Sequence, residues 1–322
     1  MNNSYSGTQP LIAPVEPHLI SSELCAKRRL RHTNRGGNEI YVFRAHEAPN
    51  TMKELGRLRE EAFRHHGGGT GKASDIDEYD LDPNGYQQLI VWDPTDKSII
   101  GGYRFILGNQ VEISPSGVPR LATAELFDFS SRFIRDYLPY TVELGRSFVA
   151  KGYQSTEKGS KAIFALDNLW DGIGALTIEN PQIKYFYGKV TMYKQYNREA
   201  RNLLLYFLQK HFADRDGLIK PQKPLDIDID EAHASRIFPS DDFRENYKVL
   251  NRMIRALNIS IPPLINSYMS LSPEMKVFGT VLNDHFGHVE ETGIFIAIDR
   301  ILEDKKKRHI DSYCRDKENG RA

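Results

Sequence analysis

The sequence has few cysteines, no long apolar run and no excess of charge of either sign. Its two cysteines, Cys25 and Cys314, lie near opposite ends of 322 residues, so we expect no disulfide framework. No apolar run approaches the roughly 18 residues of a membrane-spanning helix, and the N-terminus has no segment typical of a signal peptide. The 43 basic and 43 acidic side chains balance, which gives no reason to expect nucleic acid. We therefore expect a cytoplasmic protein that crosses no membrane.

The sequence also lacks a complete phosphate-binding loop and a metal motif. Residues 65–72 are rich in glycine, but the pattern G-x-x-x-x-G-K-[ST] would place its first glycine at His66 and its serine or threonine at Ala73. Side chains of neighbouring residues diverge on a helix, so His65 and His66 do not predict a metal site. We expect neither a metal ion nor a permanently bound cofactor.

What the sequence does contain is enough apolar surface for a core. Hydrophobic residues make up 40% of the chain, and the mean hydropathy of −0.51 is typical of soluble proteins. The length suits one large domain or two small ones. Strands and helices are mixed along the chain, which predicts an α/β layer fold. Strands are predicted at residues 40–43, 88–92, 99–107, 141–150, 185–192, 276–282 and 293–298, and helices at residues 51–66, 126–137, 198–212, 243–257 and 264–271, with a further helix after the loop at 151–161.

Charge and composition divide the chain into regions. Residues 1–38 are polar and predict a basic, partly flexible N-terminal extension. Its basic cluster at 27–31 suits either an anionic lipid, an acidic protein partner or a plain solvated arm. Residues 39–302 predict one domain, with a polar and helical insertion at 216–270. Residues 303–322 predict a charged tail that frays.

Residues 141–150 predict a strand that carries two charges in an otherwise apolar run. Burying an unpaired ion costs several kcal/mol, so Glu143 and Arg146 need partners. Strand side chains alternate, which would point these two to opposite faces. A bulge at Gly145 adds one residue and returns both side chains to one face, often beside an active site. The alternative is a purely structural ion pair.

Two more arginines lie inside apolar stretches. Arg59 falls within the apolar stripe of the helix at 51–66, and Arg104 lies inside the strand at 99–107. A buried guanidinium needs a carboxylate beside it. The acidic stretch at 74–80 follows the helix and supplies natural partners, above all for Arg59.

A polar, basic loop at residues 151–161 follows the central strand and opens a helix. Free amides at the helix start, together with Lys158 and Lys161, suit a phosphate group. An ordinary solvated loop and helix cap fits the pattern equally well.

The order of these elements resembles the GNAT acyltransferase superfamily, in which a bulged central strand splays from its neighbour and the gap receives the acyl-pantetheine donor. Closer still is the branch that depends on acyl carrier protein, which includes the acyl-homoserine-lactone synthases. Seven positions match the motifs of those synthases in order: Arg59, Phe63, Asp77, Asp80, Arg104, Glu143 and Arg146. The chain is far longer than those synthases, and glycines at 67–69 replace the aromatic residue expected there.

The full length is more similar to the bacterial ornithine-lipid and glycine-lipid N-acyltransferases, often labelled haemolysin-like. Residues 143–147 and 262–268 carry this similarity, which covers residues 40–300. It implies a GNAT-like mixed central sheet with a bulged, splayed central strand flanked by helices. It also implies transfer of a 3-hydroxyacyl group from acyl carrier protein to the α-amine of an amino acid, glycine before ornithine. That reaction is the first step of aminolipid biosynthesis in these relatives.

The resemblance implies roles for the central residues. Glu143 takes a proton from the attacking amine, directly or through a water. Backbone amides near Ser147 and Phe148 bind the oxyanion. Arg104 and Arg146 either hold the carboxylate of the amino acid or lock the acidic loop in place. A serine acyl-enzyme is not expected, because Ser147 has no obvious histidine partner.

The remaining positions are expected to order the acceptor pocket or to contact the donor. The loop network over the acceptor consists of Arg59, Phe63, Asp77 and Asp80, with Arg104. The contacts to the donor phosphopantetheine are Phe148, Val149, Lys158, Gly159, Ser160 and Lys161. The donor loop is weaker than the usual GNAT pattern [QR]-x-x-G-x-[GA], which favours a donor carried on an acidic protein that docks on basic patches.

The expected partners are acyl carrier protein, a small amino acid and, at the periphery, an anionic membrane. Two other functions fit the pattern less closely. One is a signalling-lactone synthase that uses S-adenosylmethionine. The other is a non-catalytic module that binds acyl chains or membranes.

Overall fold

The computed structural model describes residues 8–154 and 160–318, and it describes side chains for all of these except residues 160–163. The helices are α1 (Pro17–Glu23), α2 (Pro49–His65), α3 (Glu78–Leu81), α4 (Ser131–Asp136), α5 (Ser160–Glu179), α6 (Arg198–Phe212), α7 (Glu231–Ile237), α8 (Phe243–Ala256), α9 (Pro263–Leu271), α10 (Glu303–His309) and α11 (Asp311–Glu318). The strands are β1 (Arg29–His32), β2 (Glu39–Phe43), β3 (Gln87–Asp93), β4 (Ser98–Leu107), β5 (Phe127–Phe129), β6 (Thr141–Val149), β7 (Tyr185–Met192), β8 (Ile219–Pro221), β9 (Lys276–Asn283) and β10 (Val289–Ala297).

Eight of these strands form one mixed sheet in the order β1-β2-β3-β4-β6-β7-β10-β9. Strands β6 and β7 run parallel, while the other neighbours in this sheet pair antiparallel. Strands β5 and β8 form a separate two-stranded ribbon. The predicted mixed α/β fold, with its strand at 141–150 near the middle of the sheet, is confirmed.

Helices α2 and α5 cover opposite faces of the sheet. Arg59 of α2 is hydrogen-bonded to Gln88 of β3. Gly172 of α5 lies so close to the neighbouring Leu89 that an added Cβ would meet its side chain at 2.9 Å. Adjacent strand residues point to opposite faces, so the two helices sandwich the sheet. We call the face under α2 the α2 face and the other the α5 face.

Strand β6 carries one extra residue against β4. Gly102 lies opposite Phe148 and Arg104 lies opposite Gly145, so Arg146 and Ser147 together face one residue of β4. Arg146, with φ of 50°, is the residue in the left-handed region. The predicted bulge is therefore present, but it lies one residue beyond Gly145, because Arg146 rather than the glycine adopts the strained conformation.

The described part of the N-terminal segment, residues 8–38, packs against the rest of the chain. Within the basic cluster 27–31, Arg31 lies in the edge strand β1 and is fully buried. Its guanidinium donates to Asn34 Oδ1 at 2.8 Å and to Asp316 Oδ2 at 3.1 Å. Glu23 of α1 accepts from the backbone N–H of Thr51 at 2.8 Å, at the start of α2. Arg31 is thus not exposed to a lipid or an acidic partner, because its donors are used inside the fold.

The C-terminal segment is helical and packs against α5, so the expected fraying of the tail is wrong for residues 303–318. His309 Nδ1 lies 2.8 Å from Asp171 Oδ1, and both side chains are buried. Tyr313 Oη donates to Glu179 Oε1 at 2.7 Å. These contacts anchor α10 and α11 to α5.

Two further regions differ in detail or add to the core domain. Residues 126–137 form strand β5 and helix α4 instead of one helix, because the Ser130 side chain caps α4 by accepting from the Phe133 N–H. Residues 216–270 contain β8, α7, α8 and most of α9. Within the described part of the chain, no helix has the length and apolar character needed to cross a membrane.

Candidate active site

The site lies where β6 and β7 separate. Their parallel pairing runs from Thr141 opposite Tyr185 to Leu144 opposite Gly188. Strand β6 continues to Val149 and β7 to Met192, but the described strands are not paired with each other beyond that point. The end of their pairing after Leu144 and Gly188 corresponds to the predicted splay of the central strand, and we call the region beyond it the gap.

Glu143 is buried just before this gap and is held by a tyrosine. Its carboxyl Oε2 accepts a hydrogen bond from Tyr86 Oη at 2.6 Å, and Tyr86 Oη in turn accepts from the Ala122 N–H at 2.9 Å. Burial raises the pKa of Glu143, and the Tyr86 hydrogen bond and the charge of Arg104 oppose this effect without cancelling it. Burial and the neighbouring Glu143 carboxylate raise the pKa of Tyr86 well above its ordinary value, which keeps its hydroxyl a donor. A carboxylate with a raised pKa is suited to accept a proton near neutral pH.

Arg59 and Arg104 meet the acidic loop in a buried network. Arg104 Nη1 lies 2.7 Å from both carboxylate oxygens of Asp77 and 3.2 Å from Asp80 Oδ2. Arg59 Nη1 lies 3.2 Å from Asp80 Oδ1, and both side chains are fully buried. Burial alone would raise the pKa of Asp80, but the charges of Arg59 and Arg104 outweigh it and hold that pKa well below its usual range. The pairing expected between Arg59 and the acidic loop is therefore present.

Arg146 reaches the same acidic loop from the bulge. Its Nε lies 2.9 Å from Asp75 Oδ2, its Nη2 lies 3.5 Å from Asp77 Oδ2, and its guanidinium lies 4.6 Å from the ring centre of Phe286. Glu143 has Tyr86 as its partner instead. The two residues therefore have different partners, and Arg146 is paired with aspartates of the acidic loop instead of with Glu143.

The side chains of Glu143 and Arg146 nevertheless lie on the same face of the sheet. Glu143 lies opposite Ile106 on β4, and Ile106 shares a face with Arg104 two residues earlier. Arg146 and Arg104 share Asp77 as a partner. The bulge thus brings the two charged side chains to the α2 face, as its sequence signature predicts.

Ser147 has its side chain on the other side of the sheet. It lies beside the buried hydroxyl of Tyr103, which also neighbours Tyr268. Tyr103 pairs with Leu89 and so belongs to the α5 face. The Ser147 hydroxyl therefore points away from Glu143, while its backbone stays in the splayed part of β6. Phe148 returns to the α2 face and packs edge-on against Phe63, with ring centres 6.5 Å apart.

Sequence reasoning missed Lys189, Glu291 and Phe286. Lys189 is the first residue of β7 beyond its last pair with β6, and its ammonium contacts the buried carboxylate of Glu291. Burial lowers the pKa of Lys189, and the charge of Glu291 opposes this. The rings of Phe286 and Phe63 have centres 5.0 Å apart. Lys189 is a charged residue inside the predicted strand at 185–192. The same feature identified Glu143 and Arg104, so it could also have indicated Lys189.

Only part of the expected donor site can be compared with the structure. Phe148 and Val149 are at the end of β6, beside the gap. Lys158 and Gly159 lie outside the described residues, as do the side chains of Ser160 and Lys161. Gln154 joins the end of β6 to the end of α2, because its Nε2 donates to Val149 O at 2.7 Å and its Oε1 lies 2.8 Å from His66 Nε2.

Neither a described metal-ligand cluster nor the cavity beside α6 coincides with this gap. The described histidines, cysteines and carboxylates include no group of three that would hold a metal ion. A cavity of about 330 Å³ lies between α6, β8 and β9, and neither Glu143 nor Arg146 lines it. We place the candidate site at the gap beside β6 and not at this cavity, because Glu143, whose pKa is raised, and the network of Arg59, Asp80 and Arg104 lie on that side of β6.

Comparison with known proteins gives family matches along the chain. Residues 58–161 match the acetyltransferase (GNAT) domain family. A glycine N(alpha)-acyltransferase of Phocaeicola vulgatus is 56% identical over 307 residues, which cover 95% of this chain and 94% of that protein. A glycine N(alpha)-acyltransferase of Bacteroides thetaiotaomicron is 55% identical over 305 residues, covering 95% of this chain and 90% of that protein.

Solved structures similar to this chain are more distant in sequence. FeeM, an N-acyl amino acid synthase from uncultured soil microbes, is 9% identical with a TM-score of 0.41, and the match covers 81% of this chain and 92% of FeeM. BjaI, a CoA-dependent acyl-homoserine lactone synthase solved with MTA, is 11% identical with a TM-score of 0.38, covering 86% of this chain and 90% of BjaI.

Proposed function

Because this chain belongs to the glycine N(alpha)-acyltransferase family of GNAT enzymes, which it matches over 95% of its length, we propose that it acylates the α-amine of glycine. The donor in this proposal is a 3-hydroxyacyl group carried as a thioester on acyl carrier protein. The observation that carries the proposal is Glu143, a buried carboxylate with a raised pKa at the point where β6 and β7 part.

The reaction joins an amine to a thioester carbonyl. The glycine nitrogen attacks the carbonyl carbon, the carbon–sulfur bond breaks, and the pantetheine thiol leaves with a proton. The amine must be uncharged to attack, so a base has to accept its proton. Glu143 is the base in this scheme, directly or through one water, and Tyr86 fixes the carboxylate by its 2.6 Å hydrogen bond.

The tetrahedral intermediate carries a negative oxygen that needs donors. Beyond Leu144, β6 is no longer paired with β7, so backbone on that side of the splayed strand faces the gap. We assign the amides near Ser147 and Phe148 to the oxyanion, since preorganised backbone donors stabilise such charge most strongly. The acyl-pantetheine arm then lies in the gap, beside Phe148 and Val149.

Acyl carrier protein is proposed as the donor for two reasons. The resemblance to the branch that depends on this carrier rests on seven ordered residues, from Arg59 to Arg146. The sequence at 151–161 keeps little of the usual GNAT phosphate loop, which coenzyme A would use more fully than a protein-bound arm. An acidic carrier would dock on basic side chains near the gap, such as the exposed Lys151.

Arg59, Asp77, Asp80 and Arg104 are assigned to positioning and not to chemistry. Their charges are used on one another in a buried network. The network ties the acidic loop to β4, beside the strand that carries Glu143. We further propose that the N-acyl amino acid is the first product on a route to an aminolipid, made in the cytoplasm and passed to an anionic membrane surface.

A product assay with two donors and several acceptors tests this function. The purified protein is incubated with a 3-hydroxyacyl group on acyl carrier protein or on coenzyme A, together with glycine, ornithine or another amino acid, and products are identified by mass spectrometry. We expect N-acylglycine as the main product, formed faster from the carrier protein. No acylated amino acid from any combination contradicts the proposal, and a lactone formed with S-adenosylmethionine would favour a signalling-lactone synthase.

A further inference from the structure

Lys189 lies next to Glu143 at the start of the gap. Tyr187 is opposite Glu143 across the parallel pair, and Lys189 follows Tyr187 by two residues on the same face. Strand spacings put the Cα atoms of Lys189 and Glu143 roughly 8 Å apart. At that separation, the side chains of Lys189 and Glu143 can both contact an acceptor with two carbon atoms that lies between them. The geometry therefore suits an acceptor with a positive amine and a negative carboxylate close together.

The arginines of the site already hold protein carboxylates. Arg104 binds Asp77 and Asp80, and Arg146 binds Asp75 and Asp77, at distances from 2.7 to 3.5 Å. A substrate carboxylate that took the place of one of these aspartates would break a buried ion pair, which is costly. This argues against the expectation that Arg104 or Arg146 holds the amino acid.

Lys189 contacts a single carboxylate, that of Glu291, and keeps donors for a further partner. An ammonium has three N–H donors, and Glu291 accepts from this one. Glu291 is itself fully buried on β10 and lies 3.4 Å from Thr191 Oγ1. The carboxylate thus balances and orients the ammonium within the sheet while the side chain of Lys189 keeps 15% of its surface exposed at the gap.

The aromatic ring of Phe286 lies beside both Arg146 and Lys189. The short turn Asp284–Phe286 joins β9 to β10, and Phe286 lies over Arg146 and 5.8 Å from Lys189 Nζ. The turn is seated on the glycine-rich loop after α2, because a Cβ on Gly287 would meet Gly68 Cα at 2.9 Å. The apolar cover limits the size of an acceptor beside Lys189.

We propose that Lys189, held by Glu291, binds the α-carboxylate of the acceptor amino acid and so selects amino acids over neutral amines. This assignment rests on the proposed function. In the resulting pose the acceptor lies between Lys189 and Glu143, with its amine toward Glu143 and the thioester. Lys189 binds substrate, whereas Glu291 is a positioning residue.

Paired acceptors with and without a carboxylate test the assignment. The kcat/KM values for glycine and for glycinamide are measured with 3-hydroxyacyl carrier protein for the wild type, Lys189→Met and Lys189→Arg. Loss of Lys189 should lower the glycine-to-glycinamide ratio by about 10- to 100-fold, since hydrogen bonds to charged groups are worth that much. The change should appear mainly in KM for glycine, and Lys189→Arg should recover part of the ratio. Lys194→Met removes an exposed lysine just beyond β7 and should leave the ratio unchanged.

An unchanged ratio in Lys189→Met overturns the proposal, because a merely structural role would slow both acceptors equally. If this variant fails to fold with Glu291 left unpaired, the double variant Lys189→Met/Glu291→Gln removes both charges and should show the same loss of ratio. Retention of the wild-type ratio in the double variant also overturns the proposal. If the wild type acylates another amino acid, the proposed function fails, but the same comparison with the amide of that amino acid still tests Lys189.

Discussion

Tyr86 Oη donates a 2.6 Å hydrogen bond to Glu143 Oε2, although the two residues are 57 positions apart in the chain. Tyr86 precedes β3 and Glu143 lies in β6, so the bond connects two parts of the sheet that β4 separates. It stabilises the ionised form of Glu143 against the opposing effect of burial. Tyr86 is thus a partner that lowers the pKa of the proposed base, and its contribution can be removed by a single substitution.

The Tyr86→Phe substitution should shift the pH dependence of the reaction. The tyrosine hydrogen bond lowers the pKa of Glu143, so its removal should raise that pKa and move the acid limb of the pH–rate profile to higher pH. The measurement is kcat/KM across the acid and neutral range, compared with wild type. Tyr79→Phe, at a neighbouring ring 5.9 Å away, is the matched control and should leave the limb in place. A limb that does not move in Tyr86→Phe would contradict the role of this bond.

The wild-type profile itself should show the raised pKa of Glu143. Glu143 is inactive as a base when protonated, so kcat/KM should rise with pH along a limb whose midpoint lies above the ordinary value of 4.5. The same limb should be absent in Glu143→Gln.

The free energy of unfolding should also depend on the ionisation of Glu143. It should fall as the pH rises, whereas kcat/KM should rise. Because the folded-state pKa is raised, the stabilising contribution of protonated Glu143 is complete below about pH 4.5 and is lost as the pH rises through the folded-state pKa. Urea unfolding of wild type and Glu143→Gln across this range measures the difference. A free energy of unfolding that changes identically with pH in both proteins would show that the Glu143 pKa is not raised.

The Asp80→Asn substitution should destabilise the whole fold. It removes the charge that Arg59 and Arg104 share in a buried network, and breaking such a pair costs about 3–5 kcal/mol. Urea unfolding should show this loss in free energy, with lower turnover because the acidic loop is released. Asp304→Asn is the control, since Asp304 pairs only at the surface and should change stability by less than about 1 kcal/mol. Equal stability of the two variants would contradict the buried network.

The Gly188→Ala substitution should disturb the last pair of β6 and β7 before the gap. An added Cβ would lie 2.5 Å from the Leu144 carbonyl oxygen, so β6 and β7 would have to move apart. Overpacking of this kind costs about 1–3 kcal/mol, and we expect lower turnover together with a lower melting temperature. Gly152→Ala, whose added Cβ meets nothing within 4 Å, should behave as wild type in both measurements. Wild-type activity in Gly188→Ala would show that the strand spacing at this point is not critical.

The sequence predicts the centre of this site because buried charges require partners. Arg59 and Arg104 are conspicuous inside apolar stretches, and an acidic loop close in sequence supplies Asp77 and Asp80. The bulge is predictable for a similar reason, since alternation alone would separate Glu143 from Arg146. Its position was wrong by one residue because a positive φ is usually assigned to glycine, whereas here Arg146 adopts it.

Contacts between distant segments are what the sequence does not reveal. Arg31 is buried against Asp316, which is 285 residues away, and each segment taken alone has the polar pattern of a solvated tail. Tyr86 likewise meets Glu143 only through the sheet order. Lys189 was visible as a charge in a strand, but its partner Glu291 lies on β10, and their pairing depends on the register of two strands.

The most direct test of the account is the single-turnover rate of N-acylglycine formation by Glu143→Gln. Glutamine keeps an oxygen that accepts from Tyr86 but has no basic carboxylate, so the protein should keep its wild-type fold by circular dichroism. With saturating 3-hydroxyacyl carrier protein and glycine, we predict a rate about 10²- to 10⁴-fold below wild type. A folded Glu143→Gln protein that forms N-acylglycine at the wild-type rate would contradict the assignment of Glu143 as the base.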